Sequence, residues 1–91
     1  MDEFELISRY FDRQHEVSGV HIGIGDDGAV LRPSSSHDQI QVIDTLVAGV
    51  HFPNDTNPAD IAYRAVAVNL SDVAAMGARP RWMTLALTVD D

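Results

Sequence analysis

The chain is short and acidic, and both properties restrict what it can be. Its 91 residues allow one small domain, which buries only a little over roughly 60% of the surface that the unfolded chain exposes. The composition, 45% hydrophobic and 22% charged, is typical of a folded globular protein. The net charge is −8, and no basic run offers a footprint for nucleic acid or an anionic membrane. An anionic ligand would therefore need a cation to bridge it to the protein.

The sequence lacks the features of secreted and membrane proteins. Without cysteine it can form neither a disulfide nor a thiolate metal site. The start, MDEFELISRYFDRQH, is acidic and amphipathic, which does not fit a signal peptide. No apolar run approaches the roughly 20 residues needed to span a bilayer. We therefore expect a cytoplasmic protein.

Two helices are predicted. The start DEFE fits a capping box, and apolar side chains then recur at helical spacing, which predicts a first helix over residues 2–15. Asn57 as the cap and Pro58 at the first helical position begin a second helix over residues 58–76, and Gly77 ends it. The second helix is apolar nearly all round, so we expect it to be buried on most sides.

Strands are predicted before and after the second helix. VHIGIGDDGAVLRP, residues 20–33, is typical of a strand, a glycine loop and a second strand. QIQVIDTLVAGVHF, residues 39–52, begins with an alternating segment whose apolar side ends in Asp44, and we expect it to pair with the preceding strand. RWMTLALTV, residues 81–89, alternates as a last strand with one face suited to a helix.

The order αββαβ predicts an α+β fold, a mainly antiparallel sheet with the helices packed on one face. A sheet of this kind has two exposed edges, which pair readily with another chain. The chain is also too short to cover its own apolar surface well. These features predict a homodimer that forms through the sheet.

Asp72 is the most unusual acidic residue, because it lies within the most apolar helix. A buried and unpaired carboxylate there would cost several kcal/mol, so it needs a partner. The ordinary explanation is an ion pair with Arg64, two turns back on the same helix face, or with Arg79. The other explanation is a bound cation.

Three further acids have ordinary explanations when each is taken alone. Asp44 at a strand end commonly caps a turn with Thr45, and Asp26 with Asp27 in GDDG is typical of a tight turn. Together with Asp72, however, they make four carboxylates in three segments of a chain with few cations. Hard oxygen ligands in this number suit Mg²⁺ or Ca²⁺, and Mg²⁺ is commonly shared with substrate phosphates. Divalent metal binding is thus a hypothesis beside the structural explanations.

Three motifs, GIGDDGAVL, DTLVAGVHF and ADIAYRAVAVNLSDVAAMGARPRWMTLALTV, together resemble the amino-terminal domain of the thiamine-monophosphate kinase family. This family is related to aminoimidazole ribonucleotide synthetase and selenophosphate synthetase. The resemblance covers essentially the whole chain, with the motifs in the correct order and spacing. It implies that ATP phosphorylates thiamine monophosphate to thiamine diphosphate, with Mg²⁺ between phosphates and aspartates, in a homodimer. Residues 1–91 would then be a truncated ATP- and Mg²⁺-binding domain.

The resemblance also implies site residues. Asp27, Asp44 and Asp72 fall on the family's Mg²⁺ ligands, and His51 falls on a substrate-contacting position. Asp26 and Asp27 belong to the glycine loop that serves the nucleotide, with Asp26 as a further ligand or a neighbour of the ligands. From the residues alone, an exposed loop histidine without a ligand is an equally good reading of His51.

The chain departs from the family pattern at two places. Val42 and Ile43 stand where the family usually has a Ser or Thr pair, so that only their main-chain carbonyl oxygens could bind a metal. Family members also continue with a Gly-Gly-Asp segment and a carboxy-terminal domain, both absent here. We therefore expect no catalysis by this chain alone. We assign no general base, because phosphoryl transfer depends on positioning and charge neutralisation. A non-enzymatic cation- or nucleotide-binding module and a purely structural dimerising module are the alternatives.

Overall fold

The computed structural model describes residues 1–12 and 16–88. These residues contain two helices and a two-stranded antiparallel sheet, in the order α1, β1, β2, α2, which is consistent with the predicted α+β class. The chain divides into two units, Met1–Gln39 with α1, β1 and β2, and Ile40–Asp91 with α2.

Helix α1, Glu3–Tyr10, begins at the predicted capping box. The side chain of Asp2 accepts the Glu5 N–H at 2.8 Å, and the Glu5 carboxylate accepts the Asp2 N–H at 3.1 Å. The helix is shorter than the predicted range of 2–15. The N–H groups of Phe11 and Asp12 both donate to the carbonyl oxygen of Ile7 at 2.9 Å, a shared acceptor that is common where a helix ends. The last predicted residues, 13–15, lie outside the described residues.

The sheet consists of β1, Val20–Ile22, and β2, Val30–Leu31. Val20 pairs with Leu31 and Ile22 with Val30, with an irregular register between the two pairs. The predicted strand, glycine loop and strand in this region are thus confirmed. The acidic part of the loop lies between the two strands.

Helix α2, Pro58–Ala75, agrees with the prediction to within one residue at its end. The side chain of Asn57 accepts the Ala59 N–H at 2.8 Å, which satisfies one of the unpaired donors of the first turn. At the other end, Gly77 has a φ of 69° and donates to Ala74, while Ala78 donates to Val73. This pair of bonds is a Schellman motif, and its left-handed position suits glycine.

Two predicted strands are wrong for the described residues. Neither 40–47 nor 81–88 is a strand, and the one neighbouring feature is an isolated bridge between Ala48 and Phe52. The alternation in both segments fits a strand, but a strand exists only when a neighbour supplies hydrogen bonds. No such neighbour pairs with these segments among the described residues, so the order αββαβ is not completed there.

The expected burial of α2 is also wrong. No residue of α2 is buried, and none of the described residues elsewhere is buried either. Within the described part of the second unit, α2 is the only helix or strand, so no packed layer covers its apolar sides. Tyr63 and Leu70, for example, remain 77% and 46% exposed.

Candidate functional site

The first two candidate residues, Asp26 and Asp27, lie in the loop between β1 and β2. Both are exposed. One carboxylate oxygen of Asp26 accepts the Asp27 N–H at 2.8 Å, a local bond typical of a tight turn. The Asp27 carboxylate has no protein partner among the described residues. The ordinary turn therefore forms through Asp26 and leaves Asp27 accessible to a ligand.

Asp44 is exposed and caps its own turn. Its Oδ1 accepts the Thr45 N–H at 2.9 Å, as the structural explanation predicted. The second carboxylate oxygen makes no bond within the described residues. Of the two residues that precede it, Val42 is half-buried and Ile43 is 90% exposed. Neither carbonyl oxygen accepts a hydrogen bond in the part of the chain that the structure describes.

Asp72 does not occupy the buried position that the sequence predicts. It lies on α2 and is exposed, so water stabilises its charge and the desolvation cost that would demand a partner does not arise. The predicted ion pairs are wrong as well, because Asp72 contacts neither Arg64 nor Arg79 in the described structure. Arg64 instead donates to the main chain of His51. The carboxylate of Asp72 is thus open to an external cation.

His51 lies in a tight turn just before α2. The turn is closed by the Gly49 N–H, which donates to the Phe52 carbonyl oxygen at 2.7 Å. The imidazole itself belongs to the turn, since its Nδ1 accepts the Val47 N–H at 2.8 Å. The guanidinium of Arg64, from α2, donates to the His51 carbonyl oxygen. His51 is therefore exposed but held in place, unlike a loop histidine without contacts.

The three acids predicted as metal ligands belong to different units of the chain. Asp27 belongs to the first unit, whereas Asp44 and Asp72 belong to the second. Within residues 1–12 and 16–88, no group of three or more His, Asp or Glu side chains is placed to hold a metal ion. The convergence of these carboxylates on one metal site stays a prediction. Among the same residues, no helix is long and apolar enough to cross a membrane.

Sequence reasoning missed the contact between Arg64 and His51. The sequence offers Arg64 as one of two possible ion-pair partners of Asp72, because the two residues lie two turns apart on the same helix face. The bond of Arg64 goes instead to a carbonyl oxygen 13 residues away. Every residue has such a carbonyl group, so no side-chain pattern in the sequence marks this acceptor.

Comparison with known sequences identifies the family of proteins in which these motifs and acidic residues occur. Residues 25–91 match the family described as AIR synthase related protein, N-terminal domain, and the chain belongs to this family. It is 57% identical over 90 residues to the thiamine-monophosphate kinase of Escherichia coli (strain K12). The identity is 47% with that of Buchnera aphidicola subsp. Acyrthosiphon pisum (strain APS) and 43% with that of Bacillus subtilis (strain 168).

These matches cover nearly all of this chain but a small part of each relative. The aligned residues are 98% of this chain and 28% of the relative in all three comparisons. The resemblance to thiamine-monophosphate kinase predicted from the three motifs is confirmed. The chain spans only about a quarter of the length of these kinases.

Proposed function

We propose that this chain is part of a kinase that transfers the terminal phosphoryl group of ATP to thiamine monophosphate. A phosphate oxygen of thiamine monophosphate forms the new bond to phosphorus, the bond to the leaving oxygen of ADP breaks, and the products are thiamine diphosphate and ADP. One observation carries the proposal. The acidic motifs occur in a chain that is 43–57% identical to proteins named thiamine-monophosphate kinase over 98% of its length.

In this proposal residues 1–91 form an amino-terminal domain that binds ATP and Mg²⁺. Asp27, Asp44 and Asp72 supply the metal ligands, and Asp26 supports the nucleotide end of the site. The chemistry of these donors fits, since Mg²⁺ prefers carboxylate oxygens and these side chains are exposed with free oxygens. Mg²⁺ commonly takes only one or two carboxylates and completes its shell with phosphates and water. A three-carboxylate group within the protein is therefore not required.

The residues beside Asp44 have a smaller part in the proposed site. Val42 and Ile43 lack side-chain ligands, but their carbonyl oxygens carry no hydrogen bond within the described residues. These oxygens can serve as neutral ligands for a hard cation. His51 is proposed to contact the phosphate of thiamine monophosphate. When Mg²⁺ is bound, it neutralises charge on the reacting phosphates, and the residues named here hold and orient them.

A homodimer formed through the sheet is also part of the proposal. Residues 40–47 and 81–88 alternate like strands but have no strand partner among the described residues. Apolar side chains on α2 are exposed, and covering them would contribute about 25 cal/mol per Å² of buried apolar area, from which the entropic cost of association is subtracted. Pairing between copies would supply neighbours for these segments, and a strand at 81–88 after α2 would complete the order αββαβ, with the helices on one face.

The protein acts in the cytoplasm, which agrees with a sequence that contains no cysteine. The chain alone does not catalyse the reaction, because it spans 28% of the kinases that it resembles and phosphoryl transfer needs both phosphates held accurately. We assign no general base.

Isothermal titration with Mg²⁺ and a non-hydrolysable ATP analogue tests this function. Asp27→Asn removes a proposed ligand charge with little change in shape. We expect at least about tenfold weaker Mg²⁺-dependent binding, because even substitutions of residues that only hydrogen-bond to a metal ligand typically lower metal affinity by that factor. Asp38→Asn is the matched control, because Asp38 is also exposed, lies in the same unit and has no protein partner among the described residues. We expect its binding to equal that of the unchanged chain.

The alternatives predict different results in the same titration. Nucleotide binding that does not depend on Mg²⁺, or that both substitutions weaken equally, would contradict the proposed metal site and favour a binding module of another kind. No binding in the dimeric protein would favour a structural module.

A further inference from the structure

The turn around His51 determines which nitrogen of its imidazole carries the proton. The Val47 N–H lies 2.8 Å from Nδ1. A backbone N–H can only donate, so Nδ1 is the acceptor and the neutral ring carries its proton on Nε2. Nε2 has no protein partner among the described residues. The ring therefore presents one N–H donor to molecules outside the chain.

Arg64 holds the main chain of the same turn from the second turn of α2. Its Nη1 donates to the carbonyl oxygen of His51. The N–H groups of Val50 and His51 both donate to the carbonyl oxygen of Val47, at 3.1 and 2.9 Å. The carbonyl, the amide and the ring of His51 are thus all bonded, and the charged donor makes the Arg64 bond the strongest type among them. Arg64 makes no ion pair within the described residues.

We infer that Arg64 is a positioning residue. It fixes the turn so that His51 presents its Nε2–H group to an acceptor oxygen of the substrate. A phosphate oxygen is the fitting class of acceptor, because the donor lies on a turn that carries the positive charge of Arg64 and an anion is favoured there. The identity of that phosphate as thiamine monophosphate rests on the proposed function, whereas the positioning role of Arg64 does not.

Three substitutions separate this role from a general effect of charge or helix stability. Arg64→Gln removes the charge and the long donor but keeps nearly the same helix propensity, and Arg64 is exposed, so little packing is lost. Arg64→Lys keeps the charge and one donor group without the planar fork. Arg79→Gln is the matched control, since Arg79 is exposed in the same unit and makes no contact with the turn.

The first measurement is nuclear magnetic resonance of the uniformly ¹⁵N-labelled chain at about pH 8.5, about two units above the pKa of a free imidazole side chain. This label reports both the ring nitrogens of His51 and the amide of Val47. We expect a single tautomer of the His51 ring in the unchanged chain, with Nδ1 as the nitrogen without a proton. Arg64→Gln should give a mixture of tautomers and make the Val47 amide exchange with water about three- to tenfold faster. Arg64→Lys should restore part of the original spectrum, and Arg79→Gln should leave it unchanged. An unchanged spectrum in Arg64→Gln, or an equal change in Arg79→Gln, would overturn the positioning role.

The second measurement titrates the same samples with thiamine monophosphate and, separately, with inorganic phosphate. We expect the Nε2 resonance of His51 to shift in the unchanged chain and to shift at about three- to tenfold higher ligand concentration in Arg64→Gln. Equal responses of both chains to thiamine monophosphate would support the proposed substrate but overturn the positioning role. A tautomer that depends on Arg64 without any response to either phosphate would support positioning and overturn the phosphate assignment. The two failures are therefore distinguishable.

Discussion

Replacing Gly49 by alanine should open the turn that carries His51. Gly49 has a φ of 79°, in the left-handed region, and its N–H donates to the Phe52 carbonyl oxygen at 2.7 Å. A Cβ atom at this position would also lie 3.3 Å from Oδ1 of Asn54. Gly49→Ala therefore adds backbone strain and a close contact at the centre of the turn, while leaving every candidate ligand unchanged.

The backbone strain decides the size of the effect. For a residue with a Cβ, the left-handed backbone conformation is roughly 1–2 kcal/mol less stable than the ordinary right-handed conformation. The contact with Asn54 adds less, because Asn54 is exposed and the end of its side chain can move by a few tenths of an ångström. A change of 1–2 kcal/mol alters the ratio of closed to open turn by about 5- to 30-fold.

Hydrogen exchange of the turn amides measures this ratio, since a bonded amide exchanges when its turn opens. In Gly49→Ala we expect the amides of Val50 and His51 to exchange about 5- to 30-fold faster than in the unchanged chain. Gly77→Ala introduces similar strain at a φ of 69°, with nothing within 4 Å of the new Cβ, but at the end of α2. Gly28→Ala introduces neither strain nor contact. Unchanged exchange in Gly49→Ala, or equal acceleration in all three variants, would refute the reasoning.

Three further predictions concern the helix, the assembly and the chemistry. Asn57→Ala removes the side-chain acceptor for the Ala59 N–H and should destabilise α2 by about 1 kcal/mol, measured as lost helicity by circular dichroism. Asn57→Ser should retain most of the helicity, and an equal loss of helicity in both variants would contradict the capping role. Light scattering at micromolar concentration should give the mass of two copies, and a monomeric mass would count against the dimer. Incubation with Mg²⁺, ATP and thiamine monophosphate should yield no thiamine diphosphate above a protein-free control. Turnover that disappears in Asp72→Ala would show that the chain suffices for catalysis.

The features that could be predicted from the sequence depend on neighbours along the chain. The capping box of α1, the Asn57 cap and the Gly77 end of α2 each involve side chains and backbone groups within five residues. The two short strands are joined by a short glycine loop, so their pairing is also nearly local. The turn bonds of Asp26 and Asp44 to the next amide belong to the same class. Motif order, finally, was enough to identify the family.

The features decided by tertiary structure depend on groups far apart in the chain. Residues 40–47 and 81–88 have the alternation of strands, but alternation supplies no neighbouring strand, and no strand among the described residues pairs with them. Asp72 was expected to be buried because α2 is apolar, yet burial requires a second surface, and the carboxylate is exposed. Arg64 is one of the two arginines predicted as ion-pair partners of Asp72, but the folded chain brings it to the carbonyl oxygen of His51. The sequence by itself determined where both helices begin and where α2 ends, through contacts within a turn or two. Only the tertiary structure decided which surfaces are covered and which donor meets which acceptor, because those outcomes depend on the path of the whole chain.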